Sequence, residues 1–362
     1  MIQAPEGLEN VVVANTAIGL VDGQEGRLVY RGYAAEDIAL NQDFESAAFL
    51  IWHGHLPDRD ESATMREMFH RNRTLSATAL GILKLAPQMM NPLVVLRSAF
   101  SLADAAWPPT TEQAVGLVAQ APLIIARAYR TSKSLPLVED DPSLDHVENF
   151  LYMLHGKRPT TAQIRALQAY LILTMEHGMN ASTFTARVVT STQSDLISAV
   201  VAAISAMKGP LHGGAPSEVM TMIDEIGTKD NAETWIREKL EKGERLMGFG
   251  HRVYKTEDPR ARALRSIVKS LAPEDPWFDL AIYVEQRALE LLQEYKPSQK
   301  LYTNVEYWAS AILRSVGIPP ELFTPMFTSS RLVGWTAHIM EQAAHNRLIR
   351  PQSKYVGPEA TN

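Results

Sequence analysis

From Asp43 onward, segment after segment of this chain sets apolar residues at helical spacing and closes the run with glycine or proline. That rhythm leaves little room for strands, which need an apolar–polar alternation of period two. Asp43 can cap a helix whose apolar positions include Phe44, Ala47, Ala48 and Ile51, stopping at Gly54 with Pro57 beyond. Helices are read in the same way over Leu93 to Leu102, Gln113 to Tyr129, Val147 to Leu154 and Ala162 to Met175. Leu196 to Met207 is apolar on nearly every side and predicts a helix buried all round. Pro216 suits the first turn of a helix through Val219 to Ile226. Further helices are expected over Asn231 to Lys242, Trp277 to Tyr295, Thr303 to Val316 and Ser329 to Asn346. The exception is the N-terminus. There Ile18–Val21 and Arg27–Tyr30 flank Asp22-Gly23-Gln24-Glu25-Gly26, which reads as a small β-hairpin. The expected fold class is all-α with that hairpin attached.

At 362 residues the chain is long enough for two domains, and 46% hydrophobic against 21% charged residues fits a sizeable core. The net charge, 35 − 41 = −6, argues against a nucleic-acid or membrane-surface partner, since both favour basic patches. Absence of cysteine excludes disulfides, thiolate catalysis and zinc–cysteine sites. The start, Met-Ile-Gln-Ala-Pro-Glu-Gly, lacks a basic patch followed by an apolar run, so no secretory signal is read and a cytoplasmic location is expected.

Two histidines stand in glycine-rich turns: His212 in Gly-Pro-Leu-His-Gly-Gly-Ala-Pro, and His251 in Gly-Phe-Gly-His-Arg-Val-Tyr-Lys. Glycine lets backbone approach a ligand closely, and histidine can act as acid, base or hydrogen-bond donor near neutral pH. His212 precedes a helix, where free amides suit a developing oxyanion. A tight turn with an incidental histidine explains it equally well. The His251 segment lacks the third glycine and the strand–helix–strand context of a dinucleotide fingerprint, and it has no Walker lysine. Lys255 and Arg260 beside it supply the cations that a phosphate or carboxylate needs. His177 follows a helix end and is read alone as a cap. Arg331 is expected at the opening of the last helix, unfavourable for the dipole, which hints at a ligand carboxylate or an intrachain salt bridge. Glu306 lies among aromatic residues, so partial desolvation could raise its pKa towards that of a general base. His53 and His55 have no third ligand at a metal-binding spacing, and no metal site is expected. His338 and His345 are read as core or surface residues.

In their joint order these segments resemble citrate synthase over nearly the whole chain. The matching stretches are Gly26 to Tyr33, Glu148 to Leu154, Glu176 to Thr183, Lys208 to Pro216, Gly248 to Arg260, Asn304 to Tyr307, Ser330-Arg331 and Arg350-Pro351. The size resembles the compact homodimeric type. The resemblance implies a two-domain helical fold: a large domain of residues 1–213 plus 319–362 with the dimer interface, and an inserted small domain of 214–318 that closes over the substrates. It implies a Claisen-type condensation of acetyl-CoA with oxaloacetate and hydrolysis of citryl-CoA. Coenzyme A is then part of a substrate, and no metal or redox cofactor is needed. Glu306 falls at the base position, His212 at the group bonding the thioester oxygen, and His251 at the donor to the ketone. His177, Arg260, Arg331 and Arg350 fall at oxaloacetate-binding positions, Arg350 from the partner subunit. Gly248, Gly250 and Lys255 fall where coenzyme A binds.

One position departs. The family usually has aspartate where Glu306 stands, and glutamate adds one methylene, roughly 1.5 Å of reach. A misplacement near 1 Å can cost on the order of 10²-fold in rate. The nearest rival reading is a 2-methylcitrate synthase taking propionyl-CoA, since one methylene is worth only about 1–3 kcal/mol in a pocket. A catalytically silent CoA- or dicarboxylate-binding paralogue is a third reading, kept open by Glu306, and a plain helical scaffold a fourth.

Overall fold

The protein is described by a computed structural model over residues 5–85, 91–213, 215–251, 253–271 and 275–358, with backbone only at 215, 216 and 269–271. Strands β1 (Gly19–Asp22), β2 (Arg27–Tyr30) and β3 (Tyr33–Ala34) form one antiparallel sheet. Gly19 pairs with Tyr30 and Asp22 with Arg27, so the expected hairpin forms, extended by a short third strand. Then come α1 (Ala35–Asn41), α2 (Phe44–His53), α3 (Arg59–Arg71), α4 (Ala77–Leu85), α5 (Pro92–Phe100), α6 (Thr111–Ser132), α7 (His146–His155) and α8 (Thr161–Thr174). They are followed by α9 (Ala181–Ser191), α10 (Leu196–Met207), α11 (Ala215–Ile226), α12 (Lys229–Glu241), α13 (Pro259–Leu271), α14 (Pro276–Tyr295), α15 (Val305–Ser315) and α16 (Phe323–Ala344).

Local chemistry sets several of these boundaries. Asp43 accepts from the Ser46 N–H at the start of α2, and Gly54 ends that helix in the left-handed region at φ 88°. Asp58 and Glu61 form a capping box on α3, a highly charged helix whose buried apolar residues, Met65 and Phe69, lie one turn apart on a single face. Pro259 opens α13, a helix absent from the sequence reading although Ala261, Leu264 and Val268 mark one buried face at helical spacing.

Helix α16 runs through the centre and packs on α2, α5, α6, α8, α9 and α10. A second group, α11 to α15, packs chiefly on itself and meets the rest through β2, α1, α8 and α16. Gly214, the expected start of an inserted domain, lies outside the described residues. No helix among the described residues is long and apolar enough to cross a membrane.

Two sequence expectations are corrected. The last helix begins at Phe323, not Ser329, because Pro325 is tolerated in a first turn. Arg331 therefore sits deep inside α16, and the argument from an unfavourable helix start does not apply. Helix α10 is not buried all round: Ser198 and Ser205 are exposed, and Val201 and Ala202 between them are half-buried. Its small side chains gave an apolar reading on every face, but the other helices of this chain cover only one.

Candidate active site

Four separated segments converge between the two helix groups. The first is the turn from α8 to α9. Tyr30, fully buried on β2, donates its hydroxyl to the carbonyls of Ile172 (3.0 Å) and Glu176 (3.1 Å), pinning the chain as α8 ends. Glu176 folds back to accept from the Gly178 N–H at 2.5 Å, which fixes the turn carrying His177. Burial would raise the Glu176 carboxyl, but His338, with Oε2–Nε2 at 3.2 Å, holds it below the usual range. His338 Nδ1 in turn faces Arg187 at 2.9 and 3.1 Å, and Arg187 pairs with Glu341. Arginine can only donate, so Nδ1 accepts and the ring proton lies on Nε2, towards Glu176.

The second segment is the turn after α10. His212 Nε2 lies 2.8 Å from the Ser182 hydroxyl, which also receives the Trp335 indole N–H at 3.1 Å and lies 2.7 Å from Asn180 Oδ1. Burial, and then the charge of Arg331, lower the His212 pKa, so the ring is neutral at pH 7.

The third segment is the glycine turn. Gly248 (φ 84°) and Gly250 (φ 81°) take left-handed conformations, and a side chain at Gly248 would strike the Tyr307 ring at 2.8 Å. These glycines let the turn lie against residues 302–304: Gly250 N–H donates to the Tyr302 carbonyl, and Asn304 N–H to that of Gly248. The hairpin tip presses on the same loop from the other side. The Gly23 carbonyl accepts from the Lys255 N–H at 2.8 Å, and a side chain at Gly23 would meet the Val253 carbonyl oxygen at 2.2 Å. Between these supports, His251 Nδ1 accepts the main-chain N–H groups of Val253 and Tyr254, both at 3.0 Å. The two main-chain bonds at 3.0 Å outweigh the long 3.4 Å approach of the Arg260 guanidinium to Nε2, so a neutral His251 accepts at Nδ1 and carries its proton on Nε2. Burial, followed by the Arg260 charge, pushes His251 down to about 4, so the neutral form prevails.

The fourth segment is the start of α15. Asn304 caps it by accepting from the Glu306 N–H at 3.0 Å. Burial, helped by the carboxylates of Asp258 and Glu218 and opposed by Arg260, pushes Glu306 up to about 7. The carboxyl is thus poised to gain or lose a proton near neutrality, as a general base requires.

Arg260 and Arg331 complete the group, and both are buried. Arg260 is held by Asp258 at 2.8 and 3.0 Å, and the same carboxylate accepts from the Val305 N–H, tying Arg260 to the helix of Glu306. Arg331 is different. Its Nε donates to the Thr174 carbonyl at 2.8 Å, its guanidinium stands over Phe327, and among the described residues no carboxylate lies within ion-pair distance. Burial lowers it only to about 10, so it remains a cation. Both arginines depress His177, after burial itself, which places one electrostatic field around His177, His251, Arg260 and Arg331. The rings of His177 and His251 stand 5.5 Å apart, edge to face.

The structure thus brings together His177, His212, His251, Arg260, Glu306 and Arg331, with the Gly248 and Gly250 turn beside them. It leaves two expected residues outside. Arg350 lies exposed in the extended segment beyond α16, and Lys255 is exposed on the His251 loop. His53 and His55 are exposed, the first stacked on Phe49 and the second edge-on to it, far in kind from a ligand set; His338 is core and His345 surface. Sequence reading missed Ser182, Asp258 and Tyr254. Asp258 had a signal, an acidic residue just before Pro259 and Arg260; Ser182 had none, since its partners are remote in the chain.

A mostly helical enzyme, with neutral imidazoles and buried arginines around one protonable carboxyl, is the class that fold and site define. Residues 7–352 match the family profile described as citrate synthase, C-terminal domain. Citrate synthase 2 of Bacillus subtilis is 39% identical over 98% of this chain and 96% of its own length. A 2-methylcitrate synthase of Mycobacterium tuberculosis is 40% identical over 98% of the chain and 91% of its own. The citrate synthase of Thermoplasma acidophilum, solved as a ternary complex with carboxymethyl coenzyme A and oxaloacetate, superposes with TM-score 0.92 at 31% identity, covering 99% of this chain and 98% of that one. The chain belongs to the citrate synthase family.

Proposed function

We propose that this protein condenses acetyl-CoA with oxaloacetate and hydrolyses the resulting citryl thioester, releasing citrate and CoA. The observation that carries the proposal is Arg331, a buried cation with no carboxylate in ion-pair contact and only the more distant charge of Glu176 against it, set among neutral histidines. A buried unpaired charge is costly, and an anionic substrate relieves that cost. In this reading Arg260, Arg331 and His177 take the dicarboxylate, and the His251 Nε2–H donates to its ketone. Glu306 removes a methyl proton from the thioester. His212 donates to the thioester oxygen, its ring oriented by the contact of Nε2 with the Ser182 hydroxyl. The new carbon–carbon bond forms between the enolate carbon and the ketone carbon, and water then cleaves the thioester. The Gly248–Gly250 turn and Lys255 would hold coenzyme A through amides and one cation.

The reading also assigns residues 214–318 to a closing small domain, in keeping with the self-packing of α11 to α15. It makes the protein a cytoplasmic homodimer, with Arg350 reaching the partner's site. The exposure of Arg350 and the partly uncovered face of α10 support that assembly.

The test is steady-state release of CoA with oxaloacetate, comparing acetyl-CoA with propionyl-CoA. A higher kcat/KM for acetyl-CoA is expected. A preference for propionyl-CoA would make 2-methylcitrate the product. Release with neither, from protein that still binds oxaloacetate, would leave a silent binding protein in which Glu306 has disabled the chemistry.

A further inference from the structure

We infer that Tyr254 is a positioning residue for oxaloacetate, its hydroxyl fixing the tautomer and orientation of His177. The inference rests on the oxaloacetate reading above. Tyr254 is 2% exposed and touches three members of the site. Its hydroxyl lies 3.2 Å from His177 Nε2. Its main-chain N–H donates to His251 Nδ1 at 3.0 Å, and its ring stands 4.8 Å from the His251 ring. The Arg260 guanidinium lies 5.7 Å over the same ring.

A neutral imidazole has one donor and one acceptor nitrogen, and its acceptor is more basic than a phenol oxygen. The Tyr254 O–H therefore donates to Nε2, leaving the His177 proton on Nδ1. The phenol stays protonated, because burial raises its pKa above the usual value. His177 stays neutral under burial and the two arginines. Tyr254 thus serves both imidazoles by separate groups: the main chain sets His251 as an Nε2–H donor, and the side chain sets His177 as an Nδ1–H donor. Two donors of fixed tautomer beside two arginines form a receptor for a dicarboxylate ketone before it arrives.

Tyr254→Phe separates these contributions, because it keeps the ring and the main-chain N–H and removes only the hydroxyl. Steady-state constants for both substrates are measured on the full chain, with a melting temperature in the absence of substrate. The expected result is a rise of about 5- to 10-fold in the oxaloacetate KM, the usual effect of losing one hydrogen bond. The acetyl-CoA KM should stay unchanged, and the melting temperature should fall by no more than the few degrees that one lost hydrogen bond accounts for. Introducing His177→Gln in both backgrounds should show strong non-additivity, with Tyr254→Phe adding little once His177 is gone. An unchanged oxaloacetate KM overturns the inference, as does a parallel loss in both KM values with a larger fall in melting temperature, which marks a packing role. Additive effects of the two changes overturn it as well. Wild-type protein that neither binds nor consumes oxaloacetate overturns the functional reading itself, an outcome recognisable before any variant is made.

Discussion

At Glu306, rate and stability pull in opposite directions with pH. Burial raises its folded pKa from the ordinary 4.5 to about 7, so the folded protein prefers the protonated form. Its contribution to stability is fullest below pH 4.5, declines as pH rises towards 7, and is constant above. A base must be ionised, so kcat/KM should rise on an acid limb centred near pH 7. Melting temperatures of wild type and Glu306→Gln between pH 5 and 8 check the first statement: the wild type should lose ground to the variant as pH increases. Glu306→Gln should also lower kcat by about 10²- to 10⁴-fold, the range for removal of a general base, with oxaloacetate binding retained. A variant as active as wild type would show that another group abstracts the proton.

Helices and turns in this chain are held by buried polar groups that also serve the site. The links from Glu176 through His338 and Arg187 to Glu341 tie the His177 turn to α16, and Glu341 accepts from the Ala17 N–H ahead of β1. Glu341→Ala would leave Arg187, 3% exposed at its side chain, without its anion. Breaking such a pair costs about 3–5 kcal/mol, measurable by urea unfolding. A loss below about 1 kcal/mol, the scale of a surface ion pair, would contradict this account. In the α9–α10 region, Ser182→Ala removes the hydroxyl that fixes the His212 ring. It should reduce kcat by about 10-fold or more while leaving the oxaloacetate KM nearly unchanged, since misorientation of a catalytic group acts on the chemical step.

The whole molecule divides into helix groups with the candidate site between them, so the proposed chemistry calls for motion. Closure of α11 to α15 towards α16 would exclude water before the enolate forms. Small-angle scattering with and without oxaloacetate should show a smaller radius of gyration when it is bound; an unchanged radius argues against closure. Sharing Arg350 across a dimer predicts that activity per chain falls on dilution into monomers. Full activity in a monomer would place all binding groups within one chain.

Much of the helical frame was legible because Asp43, Gly54 and Pro216 act on the backbone within a few residues of themselves. The charged α3 and arginine-rich α13 escape the sequence reading although each carries one apolar face, because charged residues interrupt the apolar ones along both segments. The sequence by itself determined the helix-rich class, the histidine-bearing glycine turns and, through their joint order, the family. Tertiary structure alone decided the electrostatics. Glu306 becomes a carboxyl that titrates near neutrality, and Arg331 a buried cation outside ion-pair contact, because groups more than a hundred residues apart remove water from one place. Ser182, Tyr254 and Asp258 act through partners that only folding brings within hydrogen-bond range, and such distances are absent from the order of residues along a chain.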